Sequence, residues 1–385
     1  MDFELTTEQK TIKELARRFA SEEIAPVARD NDRECHFHRD ILQKMAPLGL
    51  LGGPIPERYG GAGLDYISHA IITEEIGRAC SSVRTTLSVQ VSLVELSILA
   101  WGTEEQKQRY LPALCKGELL GCFALTEPNA GSDAANQSTS AVLRGDKWVL
   151  NGTKTWISNA GVADLAIVIA RTDKTKKHEG LTAFIVEKEK VQGFTTRDIL
   201  HKLGLRSSNT AEIYLEDCAI PKDSVLGGVG EGFKVAMGGL DNGRYSVAAG
   251  CVGICQACID ASVRYARERV QFDRPIGSFQ LVQDMIARMV VDTEAARLLV
   301  YKAGHVKNAG LKSTLETSIA KYFASEAAVR AANMAIQIHG SYGYSDEFPV
   351  ERYLRDAKVA TIYEGTSEIQ KLIIGREVLD LKAFT

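Results

Sequence analysis

The chain has 385 residues, of which 45% are apolar and 25% charged, the composition of a folded protein with large hydrophobic cores. This length predicts about two or three domains. The net charge of −3, with both signs interspersed, excludes the basic surfaces typical of proteins that bind nucleic acid or anionic membranes.

The first part of the chain is predicted to be helical and to form a domain over residues 1–120. Its start, MDFELTTEQKTIKELARRFA, lacks the basic and apolar regions of a secretory signal and indicates an amphipathic helix capped by Thr6 or Thr7. Apolar residues recur at helical spacing from Ile67 to Trp101. No stretch of about 18 apolar residues is evident, so we expect no transmembrane span.

The residue pattern changes at Leu120. The segments GDKWVLNGTKTWIS, LTAFIVEKE and AEIYLEDCAIP are rich in β-branched and aromatic residues and are bounded by turn signals, which predicts a β domain over residues 121–228. Helical periodicity returns at Gly230 and predicts a helical domain over residues 229–385, with one helix over 248–272. Helices, then strands, then helices indicate an α+β fold.

The spacing of the cysteines and glycines bears on whether the chain has a metal site or a phosphate-binding loop. Cys251, Cys255 and Cys258 recur at helical spacing with no histidine nearby, which favours a buried face of reduced thiols over a metal site and fits the cytoplasm. No Walker or GxGxxG phosphate loop is present, so a nucleotide cofactor would have to be bound in another way.

The stretch IYEGTSEIQKLIIGR places Glu364 beside Gly365, just before a predicted helix with Thr366 or Ser367 as N-cap. An acid near the positive end of a helix is one interpretation, and it explains Glu368 better than Glu364, which lies outside the helix. The other interpretation is a carboxylate held on a loop as a general base.

Two segments around the β domain each allow two interpretations. CFALTEPNAGSD offers the hydroxyls of Thr126 and Ser132 to the polar edge of a planar ring, or it is an ordinary loop between domains. In NGTKTWISNA the Asn-Gly pair predicts a hairpin. Trp156 is then either a core tryptophan or an aromatic wall beside the hydroxyl of Ser158.

Two later segments also remain open. RERVQFDRPIGSFQ breaks two helices, and its Arg269 and Arg274 either bind a pyrophosphate or are solvated surface arginines. QIHGSYGY either ends a helix or allows the backbone to approach a ligand closely.

Together these segments, with LDNGR, SDEFPVERYLRDAK and YEGTSEIQ, resemble the acyl-CoA dehydrogenase family over essentially the full length of the chain. The resemblance implies an α+β fold with a helical N-terminal domain, a middle β domain and a C-terminal four-helix bundle. It also implies bound FAD, an acyl-CoA substrate, a homotetramer, and electron-transfer flavoprotein as the acceptor of electrons.

The resemblance implies binding roles for individual residues. Contacts with the flavin are implied for Phe123, Leu125, Thr126, Ser132, Trp156, Ile157 and Ser158. Contacts with the adenosine diphosphate half of a neighbouring subunit's FAD are implied for Arg269, Phe272, Gln280, Gln337, Gly340 and Ser341, although a second glycine is common at the last position. Thr366 and Glu368 are implied to approach the flavin phosphates, and Ser132, Asp241, Arg244 and Gly365 to lie by the substrate.

The implied reaction removes two hydrogens from adjacent carbons of an acyl thioester. Glu364 takes the α-proton while the β-hydrogen leaves as hydride to flavin N5. The N–H of Glu364 and a ribityl hydroxyl are implied to bind the thioester carbonyl, and such donors are worth ~3–4 kcal/mol in other enzymes. Some family members place the base elsewhere, at a position that is Gly243 here, so Glu364 has no competitor.

Arg84 lies in SSVRTTLSVQVSLVELSILAW, which in this family lines the far end of the acyl pocket. A buried arginine needs a carboxylate partner, either from Glu74 or Glu95 or from the substrate. The pattern VRTTLSVQVSL is similar to glutaryl-CoA dehydrogenases, whose arginine binds a distal carboxylate, while GTSEIQKL follows the short-chain pattern. Glutaryl-CoA or an arylsuccinyl-CoA is the specific expectation, and an uncharged short, branched or cyclic acyl group is the alternative.

The sequence disfavours two other classes of protein. An acyl-CoA oxidase is generally longer, with an added C-terminal domain. A non-enzymatic CoA-thioester-binding protein is disfavoured by the presence of Glu364, Trp156 and Arg269.

Overall fold

The computed structural model describes residues 4–381 and 383. In that part of the chain the N-terminal region contains helices α1 to α7: Thr7–Phe19, Ala28–Glu34, Arg39–Met45, Tyr66–Ala79, Ser81–Ser88, Leu96–Trp101 and Glu104–Cys115. Thr6 caps α1 through a capping box, because its side chain accepts from Gln9 N and the Gln9 side chain accepts from Thr6 N. The predicted N-terminal helix is therefore confirmed.

The helical pattern from Ile67 to Trp101 does not form one helix. Cys80 is extended, with φ −157° and ψ 116°, and separates α4 from α5. Beyond this break, α5 continues through a π-helical segment, Val89–Glu95, into α6. Such widened turns are frequent at functional sites, and this one carries Leu93 past the site described below.

The middle region is a single mixed sheet of eight strands. Their order is β6-β7-β3-β2-β4-β5-β8, and β1 pairs in parallel with β4. Strands β1 to β8 span Gly121–Ala124, Ser140–Arg144, Lys147–Ser158, Leu165–Arg171, Leu181–Glu187, Phe194–Asp198, Thr210–Pro221 and Val225–Leu226. The β domain expected from the β-branched residues is present. The hairpin predicted at Asn151 and Gly152 is wrong, because both residues lie inside β3 and the chain turns instead at Gly145 and Asp146, between β2 and β3.

The C-terminal region consists mainly of long helices. Helices α8 to α12 span Gly232–Glu268, Gln280–Asn308, Thr314–His339, Val350–Ala360 and Ser367–Leu379, and the short hairpin of β9 (Val270–Gln271) and β10 (Arg274–Pro275) separates α8 from α9. Alanine-rich faces of α8, α9 and α10 form one hydrophobic core. The predicted order of helices, sheet and helices, an α+β fold, is confirmed.

Helix α8 begins well before the predicted residues 248–272, because glycines weaken the helical pattern at its start. A glycine inside a helix costs ~1 kcal/mol relative to alanine. Here the cost is accepted for close contacts: an ideal Cβ on Gly243 or Gly250 would lie 2.0 Å or 2.4 Å from side-chain atoms of other helices or turns. These two contacts place α8 against the candidate site.

Two helices in the described residues meet the length and composition of a membrane span. They are Ser81–Trp101 and Gly232–Glu268. Their most apolar windows are 83% and 72% buried within the protein, and core helices meet the same criteria.

The cysteines behave as the sequence predicts. Cys251, Cys255 and Cys258 are buried thiols on α8 in the C-terminal core. Within residues 4–381 and 383 no group of three or more histidine, cysteine or acidic side chains is arranged to bind a metal ion.

Candidate active site

The turn between α11 and α12 holds a carboxylate in an unusual backbone conformation. Glu364 has φ +54° and Gly365 has φ +88°. Positive φ is uncommon outside glycine and is often found at functional sites. Thr366 is the N-cap of α12, since its Oγ1 accepts from Ile369 N at 3.3 Å. Glu364 is therefore not the helix cap.

The carboxylate of Glu364 is desolvated. Although the residue is partly exposed, its Oε2 has no accessible surface and no hydrogen-bond partner. Burial raises the pKa of Glu364 to about 7, against the lowering effect of Arg84, Lys321 and Arg244. A carboxylate with a pKa near working pH has the proton affinity that a general base needs.

Helix α8 lies directly against this carboxylate. An ideal Cβ on Gly243 would sit 2.0 Å from Glu364 Oε2 and 2.9 Å from a methyl group of Leu93. A side chain at position 243 would thus occupy the space that Glu364 fills. The absence of a side chain there is what allows the turn to carry the acid.

The backbone of the turn offers unused donors. The carbonyl of Glu364 accepts from Arg244 Nε at 3.3 Å and Gln370 Nε2 at 3.1 Å, and the Gly365 carbonyl accepts from Lys321 Nζ at 2.7 Å. Among the described residues, the N–H groups of Glu364 and Gly365 donate no hydrogen bond. Free amides beside a buried acid are the donors an oxyanion requires.

Arg84 is buried close to this turn without a carboxylate contact. It is 1% exposed, and its Nη2 donates to the hydroxyl of Tyr363 at 2.8 Å, whereas Nε and Nη1 have no partner among residues 4–381 and 383. Glu74 pairs instead with Arg297, with Oε1 and Nη2 2.9 Å apart. Neither Glu95 oxygen has a hydrogen-bond partner. Both expected protein partners of Arg84 are therefore wrong.

Arg84 and Glu364 lie along the same side of α8. Gly243 faces the Glu364 carboxylate, and an ideal Cβ on Gly250 would lie 2.4 Å from Arg84 Nε. These glycines are two helical turns apart, about 10 Å. Between them on this face, the buried Ser246 shares a 2.7 Å hydrogen bond with Ser88 of α5. Along this face of α8, the Glu364 carboxylate, the Ser246–Ser88 hydroxyl pair and the Arg84 guanidinium therefore follow one another.

Glu95 is expected to make stability depend on pH. Burial raises its pKa well above the usual value, and Gln90 and Cys115 beside it offset this only in part. Its contribution to folding is fully present below the unfolded pKa of about 4.3 and is lost as pH rises through the raised folded pKa, at ~1.4 kcal/mol per unit. Glu95→Gln should therefore stabilise the protein increasingly with pH.

Thermal unfolding of wild type and Glu95→Gln at about pH 5 and about pH 8 measures this difference. Glu216→Gln, at an exposed position of β7, is the matched control. An advantage of Glu95→Gln that is the same at both pH values would show that Glu95 does not titrate as described.

Trp156 projects outward from the sheet. It lies in a register shift between β3 and β7, has φ +58°, and is 61% exposed. A bulge of this kind re-aims side chains. The core-tryptophan interpretation is wrong, and an exposed indole beside the half-buried Ser158 and buried Ile157 fits one face of a planar ring.

A buried ion pair fixes the loop before this wall. Lys154 is 0% exposed, and its Nζ donates to Glu127 Oε1 at 2.7 Å, Gln137 Oε1 at 2.8 Å and the Leu125 carbonyl at 3.2 Å. Phe123 belongs to β1 and is buried. Among the loop residues named from the sequence, Thr126 is half-buried and Ser132 exposed. The loop is thus anchored through Glu127, and its part around Ser132 is exposed.

The remaining cofactor residues form a second, distant group. Arg269, Phe272, Gln280, Gln337, Gly340 and Ser341 are all exposed. The Arg269 guanidinium lies 5.7 Å from the ring centre of Tyr342, which brings the β9–β10 hairpin next to the end of α10. Arg269 directly follows α8, roughly 40 Å along that helix from Gly243. Within one chain Arg269 therefore lies far from the turn that carries Glu364.

The other predicted contacts cluster around the catalytic turn. Thr366 and Glu368 lie at the N-terminus of α12, a place that favours anions. Asp241 and Arg244 form an ion pair at 2.7 Å. Sequence reasoning missed Lys321, Gln370 and Lys154, for which the only signal was a lone polar residue on an apolar face.

Fold and site together define a class: a helix–sheet–helix protein with a desolvated carboxylate on a strained turn and an exposed tryptophan on its sheet. Family models match the acyl-CoA dehydrogenase N-terminal domain over residues 6–118, the middle domain over 122–218 and the C-terminal domain over 230–379. The chain belongs to the acyl-CoA dehydrogenase family, whose members are FAD enzymes. It is an oxidoreductase acting on CH–CH bonds with a flavin.

Individual relatives point to two substrate types. A short-chain-specific acyl-CoA dehydrogenase of Clostridium acetobutylicum is 44% identical over 98% of this chain and 100% of its own. A glutaryl-CoA dehydrogenase of Desulfococcus multivorans is 44% identical over 99% of each. A chain from a structural study of the electron-transferring flavoprotein of Acidaminococcus fermentans superposes with a TM-score of 0.97, at 44% identity over 98% of this chain and 100% of that one.

Proposed function

We propose that this acyl-CoA dehydrogenase oxidises a carboxylated acyl-CoA, of the glutaryl or arylsuccinyl type, to its 2-enoyl-CoA. The observation that carries the substrate class is Arg84, a buried guanidinium with two unpartnered nitrogens. An unpaired buried charge costs several kcal/mol. A substrate carboxylate would supply the missing partner.

The base in this proposal is Glu364. Its carboxylate is buried, unpaired and adjacent to the free N–H groups of its own turn. It takes the α-proton of the thioester, and the N–H of Glu364 donates to the thioester carbonyl as charge develops there. The same residue then serves as base and oxyanion donor, which accounts for its place on a strained turn.

FAD is the proposed cofactor, and when bound it supplies the acceptor for the hydride lost from the β-carbon. The residues present fit it: Trp156 and Ile157 form a wall, the anchored loop of residues 126–132 offers hydroxyls and amides, and Thr366 begins a helix. Electrons are proposed to pass to electron-transfer flavoprotein, in the cytoplasm. The relative from the Acidaminococcus study supports that acceptor.

The distance along α8 supports a short dicarboxylic chain. The two glycines that face the base and the guanidinium, Gly243 and Gly250, lie about two helical turns apart, about 10 Å along α8. A few carbons separate the α-carbon of a glutaryl group from its distal carboxylate, and one hydrogen-bond length is added at each end. The glutaryl-CoA dehydrogenase relative supports the same class. The equally similar short-chain relative favours an uncharged acyl group as the second candidate.

A panel of acyl-CoA thioesters with an artificial electron acceptor tests this proposal. We expect kcat/KM for glutaryl-CoA or benzylsuccinyl-CoA to exceed that for butyryl-CoA. A preference for butyryl-CoA would assign the chain to the uncharged class.

We also propose a homotetramer in which Arg269 binds the FAD of a neighbouring subunit. Because the group around Arg269 lies roughly 40 Å from the base within one chain, a second copy is needed to complete the cofactor site. Arg269 makes no ion pair in the described residues, so its guanidinium is available to a pyrophosphate.

Arg269→Ala is expected to lose FAD and dissociate more readily on dilution, since binding and assembly are linked. Flavin absorbance after gel filtration over a dilution series measures both effects. Arg288→Ala, which removes an exposed arginine of α9 paired with Asp284, is the control. A monomer that keeps its flavin would contradict the shared site.

A further inference from the structure

Lys321 of α10 is a buried cation at the catalytic turn. Its side chain is 0% exposed, and its Nζ donates to the Gly365 carbonyl at 2.7 Å. Within the described residues it makes no ion pair with a carboxylate and no other hydrogen bond. A buried ammonium held this way is expensive unless the site uses its charge.

Three helices hold the two carbonyls of this turn. Arg244 of α8 binds the Glu364 carbonyl, Lys321 of α10 binds the Gly365 carbonyl, and Gln370 of α12 donates to both, at 3.1 Å and 3.0 Å. Since a trans peptide is planar, holding a carbonyl also aims the next N–H in the opposite direction. The turn, and with it the Glu364 side chain, is thereby fixed.

The three cations around the Glu364 carboxylate differ in whether an acidic side chain of the protein pairs with them. Glu364 is faced by Arg84 from α5, Arg244 from α8 and Lys321 from α10. Arg244 is balanced by Asp241, with Nη1 and Oδ1 2.7 Å apart. Lys321 is itself faced by the Cys251 thiol of α8 and by Glu326 of its own helix. The Glu326 carboxylate accepts a hydrogen bond from Ser367 and makes no ion pair with Lys321 in the described residues.

When a substrate carboxylate engages Arg84, that cation is neutralised as well. Lys321 then remains the one uncompensated cation of these three. The ammonium is therefore placed to hold Glu364 ionised in the complex, when the base has to accept a proton.

We propose that Lys321 is a positioning residue for the dehydrogenation: its ammonium fixes the catalytic turn through the Gly365 carbonyl and keeps the Glu364 carboxylate ionised once Arg84 binds the substrate. This inference rests on Glu364 being the base. It requires both the hydrogen bond and the charge of Lys321.

The test is the pH dependence of kcat, which reports the base in the substrate complex, in three variants. Lys321→Met removes charge and hydrogen bond, Lys321→Gln removes the charge but keeps a donor, and Gln370→Met removes a neutral donor to the same carbonyl. The rise of kcat with pH should move to higher pH by roughly one unit or more in both Lys321 variants. Gln370→Met should lower kcat without shifting the pH at which kcat rises. Flavin absorbance and circular dichroism confirm that each protein is folded and loaded.

An unmoved pH profile in Lys321→Gln and Lys321→Met overturns the inference. An equal shift in Gln370→Met also overturns it, because the effect would then come from the turn geometry and not from charge. A separate failure is distinguishable: if wild type and Glu364→Gln turn over equally, the proposed base is wrong, whatever the Lys321 variants do.

Discussion

Glu364→Gln is expected to bind FAD and remain folded but to lose turnover by ~10²–10⁴-fold or more, because an amide of the same shape cannot take the α-proton. The wild-type enzyme is expected to gain activity as pH rises through about 7, where burial has raised the pKa of Glu364 and its carboxylate becomes ionised. The residual activity of the variant should lack this rise. Steady-state rates across this pH range measure both effects.

Glu347→Gln, which changes an exposed glutamate after the end of α10, is the matched control and should retain wild-type rates. Near-normal turnover by Glu364→Gln would remove this residue from the mechanism.

Arg84→Met is expected to reduce kcat/KM for a carboxylated acyl-CoA far more than for butyryl-CoA. Truncating one partner of a buried charge pair typically costs about 2–5 kcal/mol, roughly 30- to 5,000-fold. The apoprotein should stay folded, because methionine replaces a buried cation that has no carboxylate partner in the protein.

The comparison needs a pH well above the pKa of Glu364. Arg84 also lowers that pKa, so its loss raises the pKa and slows every substrate at neutral pH. At high pH the base is ionised in both proteins, so the variant then differs from wild type only in its preference between carboxylated and uncharged substrates. Arg330→Met, which removes an exposed arginine paired with Asp292, is the control. An equal loss for all substrates at high pH would make Arg84 structural.

Local signals in the sequence predicted the parts of the molecule that depend on neighbours along the chain. The caps of α1 and α12 each involve residues three apart, and the sequence narrowed each to two neighbouring candidates, of which the structure selects Thr6 and Thr366. Glu364 could be singled out as a candidate base because it lies outside the helix and does not cap it.

Partners brought together by the fold were not predictable. Glu74 appeared available to Arg84, but its actual partner, Arg297, is 223 residues away. The outward turn of Trp156 depends on a bulge against β7, and the role of Lys321 depends on α10 crossing behind the turn. In each case the sequence showed the residue type, but tertiary packing determined which residue it contacts.

Single-turnover reduction of the flavin tests the central claim most directly. The purified protein is mixed without oxygen with glutaryl-CoA, benzylsuccinyl-CoA or butyryl-CoA, and the loss of oxidised-flavin absorbance and the formation of enoyl-CoA are followed. We expect a carboxylated thioester to reduce the flavin faster than butyryl-CoA in wild type, and neither to do so at a comparable rate in Glu364→Gln. Reduction by butyryl-CoA alone, or equally fast reduction in the variant, would contradict the account.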